Sequence, residues 1–101
     1  MVVWEGSHEI MRAAMAEALA PYPVEDWGRV DVTDIYQEAR KRVFDTCVRR
    51  IVTADPGQAV LVHRLAIHGV APWTGAEGPP RMMAYFRPLH PAGISGWLRQ
   101  P

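Results

Sequence analysis

The chain has 101 residues, 49 % of them hydrophobic, and 11 basic against 11 acidic side chains give a formal net charge of zero. That length suits one domain with a single modest core, and the balance of charge lacks the basic excess by which proteins bind nucleic acid or anionic membrane surfaces. No apolar run approaches the ~20 residues needed to span a bilayer. The opening MVVWEGSHE reads as neither the basic nor the long apolar part of a secretion signal. One cysteine, Cys47, permits no intrachain disulfide and no zinc cluster. A folded, soluble, cytoplasmic enzyme fits this profile, as do other classes.

In chain order, Val2-Val3-Trp4 reads as a short strand broken by Gly6 and Ser7, with Ser7 a candidate helix cap. From His8 to Ala20 the apolar residues Ile10, Ala14, Ala18 and Met11, Met15, Leu19 recur every four positions, which predicts an amphipathic helix. Pro21, Pro23 and Gly28 mark a loop. Asp31 or Thr33 then caps a second helix through Asp45, with Ile35, Tyr36, Ala39 and Val43 on one side and Glu38, Arg40, Lys41 and Arg42 on a solvated face. The periodicity changes at Val48 to Thr53, which is rich in β-branched residues and is followed by the turn Asp55-Pro56-Gly57. Residues 59–63 read as a strand paired through that turn, 65–68 as a further extended piece, 71–80 as a Pro/Gly loop and 82–86 as a last strand opened by Arg81. The tail from His90 to Pro101 carries Ile94, Trp97 and Leu98 and is expected to dock on the body. The fold class is therefore α+β, with mostly antiparallel strands in the second half.

Two histidines, His63 and His68, lie in the apolar run LVHRLAIHGVAPW. A neutral imidazole on a strand is well placed to ligate a metal, and Gly69 beside His68 leaves room for another group to approach. His63 is expected on the other face or at the strand end, as a packing residue. His8 is explained by the helix start, and Cys47, Trp73 and Tyr85 by packing.

The stretch DPGQAVLVHRLAIHGVAPW, followed by PPRMMAYFRP, resembles the C-terminal half of the phytanoyl-CoA dioxygenase family, and VWEGSHE resembles that family's Pro-Gly-Ser-His segment. These proteins are Fe(II)/2-oxoglutarate-dependent oxygenases. The resemblance implies a partial double-stranded β-helix (a cupin-like jelly roll) with two helices in its N-terminal half. It makes His68 an iron ligand and Arg81 the residue that pairs with the far carboxylate of 2-oxoglutarate. An arginine suits that task because its planar fork makes two charge-assisted bonds to one carboxylate. The implied reaction couples decarboxylation of 2-oxoglutarate to hydroxylation of a small-molecule or acyl substrate at an unactivated C–H bond.

One departure bears on this directly. The family's other two ligands come from an H-x-D or H-x-E pair, and here His8, His63, His68 and His90 are followed two places on by Ile10, Leu65, Val70 and Ala92. The expectation is a C-terminal part of such an oxygenase whose first two ligands lie before Met1, with a homo-oligomer or an N-terminal half completing it. A non-catalytic half-barrel interaction domain and an unrelated α+β domain are the alternatives.

Overall fold

A computed structural model describes residues 1–75, 77–79 and 81–99. Within them lie β1 (Val2–Trp4), α1 (Ser7–Leu19), a 3-10 segment (Val24–Arg29), α2 (Thr33–Thr46), β2 (Arg49–Ile51), β3 (His68–Gly69) and α3 (Gly93–Arg99). The expected loop at 71–80 and tail to 101 include Ala76, Pro80, Gln100 and Pro101, which lie outside the described residues.

The first half of the chain forms as its sequence requires. Gly6, at φ 74°, makes the left-handed step that turns β1 into α1, a conformation that glycine adopts without steric cost. Ser7 does not cap the helix. It is the first helical residue, and its buried hydroxyl accepts the N–H of Ile67 at 2.9 Å, sixty positions away. Alanine-rich α1 sets Ser7, Met11 and Leu19 on its buried side, and α2 answers with Ala39 and Val43. Met11, Ala39 and Val43 form the core, joined by Trp4, Ile10, Ala14, Met15, Cys47, Leu65 and Ile67. At the start of α2 the Asp31 carboxylate accepts the Thr33 N–H at 3.0 Å. The Thr33 hydroxyl and N–H together hold the Asp31 carboxyl below its ordinary pKa. Ile35 and Tyr36 stand outside the core stripe and are exposed.

The sheet is antiparallel in the order β2-β1-β3. β1 pairs with β2 through Val2–Ile51, Val3–Arg50 and Trp4–Arg49, and with β3 through Val2–Gly69 and Val3–His68. Directly paired residues share a face. Val2, Trp4, Arg49, Ile51 and Gly69 therefore lie on one face, and Val3, Arg50 and His68 on the other. Trp4 packs on the core, so the helices cover the first face.

This architecture corrects the expected double-stranded β-helix. Among the described residues there is one open three-stranded sheet and no second sheet. The turn at 55–58 does form, with Gly57 at φ 86° and the Gln58 N–H on the Asp55 carbonyl at 3.0 Å. It does not make the expected hairpin, because β2 pairs with β1 and residues 59–63 run without a ladder. Residues 82–86 likewise form no strand, and Leu61, Met82, Phe86 and Leu89 are exposed. An alternating apolar pattern stabilises a strand only when it has an edge to pair with and a layer to cover. These segments have neither. The radius of gyration is 16.1 Å, where a compact chain of this length has about 13 Å.

The tail does dock. α3 contacts α1 and the 3-10 segment, with Ser95, Gly96 and Leu98 buried, and a β-carbon on Gly96 would run into the His90 ring.

Ser7→Ala tests the link between the two halves. It leaves the Ile67 N–H buried without a partner, and urea unfolding is expected to show a loss of about 1–3 kcal/mol. A loss under a few tenths would show that water replaces the hydroxyl there.

Candidate functional site

The two histidines of the 61–73 stretch sit in different surroundings. His68 is on β3, exposed, on the sheet face that the helices leave open. Its Nδ1 lies 2.8 Å from the carbonyl oxygen of Ala66. A carbonyl only accepts, so Nδ1 carries the proton and donates, and in the neutral ring Nε2 keeps its lone pair. A backbone carbonyl holding the second ring nitrogen is the arrangement that metal-ligating histidines use to fix tautomer and ring direction.

His63 is arranged the opposite way. Its Nδ1 accepts the N–H of Leu65 at 3.1 Å, which puts the proton of the neutral ring on Nε2. Its ring lies 4.8 Å from that of His8 and 6.3 Å, edge on, from Trp97, and the His90 ring lies 5.4 Å from that of Trp97. The guanidinium of Arg64 sits 5.5 Å from the Trp97 ring centre. Burial among these groups, then the nearby charges of His8 and Arg12, lowers the His63 pKa below the ordinary 6.5. Protonation would also cost the bond from Leu65, since an imidazolium accepts nothing. The expected packing role of His63 fits this geometry, while His8, expected at the helix start, lies in the first turn of α1 with its ring against that of His63. The meeting of His63 and His90 with Trp97, and of His8 with His63, was not foreseen. Short-range patterns give no sign of it, because the three histidines come from α1, a loop and the segment before α3.

Arg81 is exposed and lines a hollow of about 710 Å³ together with Val70, Ala71, Pro72 and Trp73. A second hollow, of about 610 Å³, reaches from the core to His68 and shares Val70, Ala71 and Pro72 with the first. The structure thus sets His68 and Arg81 at neighbouring hollows on either side of one three-residue wall. Among the described residues no carboxylate pairs with Arg81. Gly69 does not prove necessary for close approach, as a β-carbon there would meet Val2 Cγ2 at an ordinary 3.8 Å. Trp73 and Tyr85, expected to pack, are 80 % and 67 % exposed. Cys47 packs against the core as expected.

As a metal site this arrangement supplies one ligand. Among the described residues no three His, Cys, Asp or Glu side chains stand close enough to hold an ion together. Iron binding needs the full ligand count, so these residues do not make a centre by themselves. Among the described residues no helix is long and apolar enough to cross a membrane. No family model, curated protein or solved structure matches the chain.

The lowered His63 pKa makes a prediction with a definite sign. The neutral ring is favoured on folding, so its contribution is fully present above pH 6.5 and is lost as pH falls through the lower, folded-state value. His63→Asn can still offer an oxygen to the Leu65 N–H but does not titrate. Thermal unfolding between pH 7.5 and 5 is expected to show a shallower loss of stability in the variant than in the wild type. Equal slopes would mean that His63 is not the group responsible.

Proposed function

We propose that this chain supplies the distal histidine, His68, and the co-substrate arginine, Arg81, of an Fe(II)/2-oxoglutarate oxygenase acting on a small-molecule or acyl substrate. The observation that carries the reading is the tautomer set at His68. The Ala66 carbonyl holds Nδ1–H at 2.8 Å, which leaves Nε2 as a ligand nitrogen on the open sheet face. The order of motifs in DPGQAVLVHRLAIHGVAPW and PPRMMAYFRP supports it. So does the position of Arg81 just across the 70–72 wall.

The chain's own residues would have limited tasks. His68 would contribute one neutral nitrogen. Arg81, exposed and without a carboxylate partner among the described residues, would hold the far carboxylate of 2-oxoglutarate through its two-pronged fork. The remaining metal ligands would come from a second copy of the chain, laid on the sheet face that carries Val3, Arg50 and His68. The competing reading is a non-catalytic binding domain, favoured by the exposed apolar side chains of residues 82–89.

Anaerobic calorimetry of the chain with Fe(II) and 2-oxoglutarate separates the two. Iron uptake that depends on 2-oxoglutarate is expected, abolished by His68→Ala, retained by His63→Ala, and with 2-oxoglutarate bound at least tenfold more weakly in Arg81→Ala. Equal loss in both histidine variants would contradict the assignment of His68. No uptake at any protein concentration would contradict the oxygenase reading for this chain and leave the binding domain.

A further inference from the structure

The sheet face opposite His68 carries a different kind of surface. α2 places Tyr36, Arg40 and Phe44 at successive intervals of four, so they form one stripe beside the buried Ala39–Val43 stripe. The Phe44 ring packs 4.8 Å from that of Trp4, and the Arg40 guanidinium lies 5.1 Å from the Phe44 ring centre. Arg49 is paired with Trp4 across the sheet and so joins the same face. These five residues border the hollow of about 610 Å³, within the range of small-molecule sites, and Met11 and Met15 add apolar surface to its lining.

The charge of this hollow is one-sided. Its lining includes Arg40, Arg49 and Arg64 and not one Asp or Glu. Arg40 has Tyr36, Gln37, Val43 and Phe44 at its helical neighbour positions, so α2 offers it no acidic partner. The contrast within β2 is direct. Arg50, on the other face, pairs with Glu5 at 3.2 Å, whereas no carboxylate among the described residues pairs with Arg49. The Arg64 guanidinium is already engaged over Trp97. Arg40, itself over Phe44, and Arg49 are thus the two guanidinium groups beside the Trp4–Phe44 pair, each with N–H donors able to make charge-assisted bonds to an anion whose apolar part lies against the rings.

We propose that this hollow binds a small organic anion with a flat apolar body, a carboxylate or sulfonate. Trp4, Phe44 and Tyr36 take the apolar body, and Arg40 and Arg49 take the charge. The lining of the hollow also includes His68, but the proposal uses neither His68 nor Arg81 and so does not depend on the oxygenase reading.

The test is a calorimetric titration of the full chain with 2-naphthoate, alongside its uncharged analogue 2-naphthamide. Naphthoate is expected to bind at least tenfold more tightly than the amide. Arg40→Gln and Arg49→Gln should each weaken it about tenfold, Arg40→Lys by no more than about threefold, and Arg42→Gln, at an exposed α2 arginine outside the lining, should leave it unchanged. Both arginines are exposed, so the variants keep the fold, which circular dichroism verifies. Equal binding of acid and amide, or full affinity in both glutamine variants, would overturn the proposal by reducing the hollow to a non-selective apolar surface. Sedimentation of the same samples gives the other outcome. A self-associating chain that becomes monomeric in Arg40→Gln or Arg49→Gln, without binding naphthoate, would make this face a contact between copies and overturn it as well.

Discussion

Ile67 is held through both of its peptide groups: its N–H donates to the buried hydroxyl of Ser7 at 2.9 Å, and its carbonyl accepts the N–H of Trp4 at 3.1 Å. These two bonds tie the segment before β3 to β1 and to the first residue of α1. Everything that gives His68 a defined position follows from them. The ladder from Val2 and Val3 to Gly69 and His68 is two residues long, too short to set its own register without such an anchor. The same attachment brings Leu65 and Ile67 onto the Met11–Ala39–Val43 core. Ser7 is a small polar residue in a fully buried position, and its single hydroxyl is what the Ile67 N–H requires there.

The anchor also separates the two faces of the sheet by chemistry. One face is closed by α1 and α2, carries Trp4, and has Arg49 unopposed by any carboxylate among the described residues. The other is open and carries His68 beside Val3, with Arg50 already neutralised by Glu5. A histidine on the open face is available to a ligand arriving from outside the chain. His63, a few residues earlier, is turned into a cluster with His8 and Trp97, where its Nδ1 is committed as an acceptor. Two histidines five positions apart in one apolar run thus acquire opposite proton placements from the backbone groups that each meets.

Much of the local structure was legible in the sequence and the global fold was not. The helices were readable because their spacing of four is enforced within each segment, and they appear at Ser7–Leu19 and Thr33–Thr46 against the predicted 8–20 and 31/33–45. The strand at Val2–Trp4 and an extended piece within 48–53 were also readable. The pairing of that piece was not, because β2 joins β1 across the whole of α1 and α2 rather than its neighbour across the 55–58 turn. The segments 59–63 and 82–86 have strand composition without a partner, so Val60, Leu61, Met82, Met83, Tyr85 and Phe86 stay exposed in place of the second sheet that the family resemblance implied. For the site, the residue types at His68 and Arg81 were visible, whereas the proton on His68 depends on Ala66, two positions back, through a bond that no pattern announces. Tyr36 read as part of the apolar side and Arg40 as solvated charge, and only the packing of Phe44 on Trp4, with Arg40 over its ring, gave the two a common surface.

Backbone bonding sets opposite neutral tautomers on His68 and His63, and the proposed role of His68 stands on that difference. Imidazole nitrogen NMR at pH 8, with resonances assigned through His68→Ala and His63→Ala, tests this most directly. The geometry predicts that neutral His68 carries its proton on Nδ1 with Nε2 bare, and that His63 carries its proton on Nε2. A spectrum in which His68 is protonated on Nε2 would contradict the claim, because the nitrogen facing solvent would then have no lone pair to give.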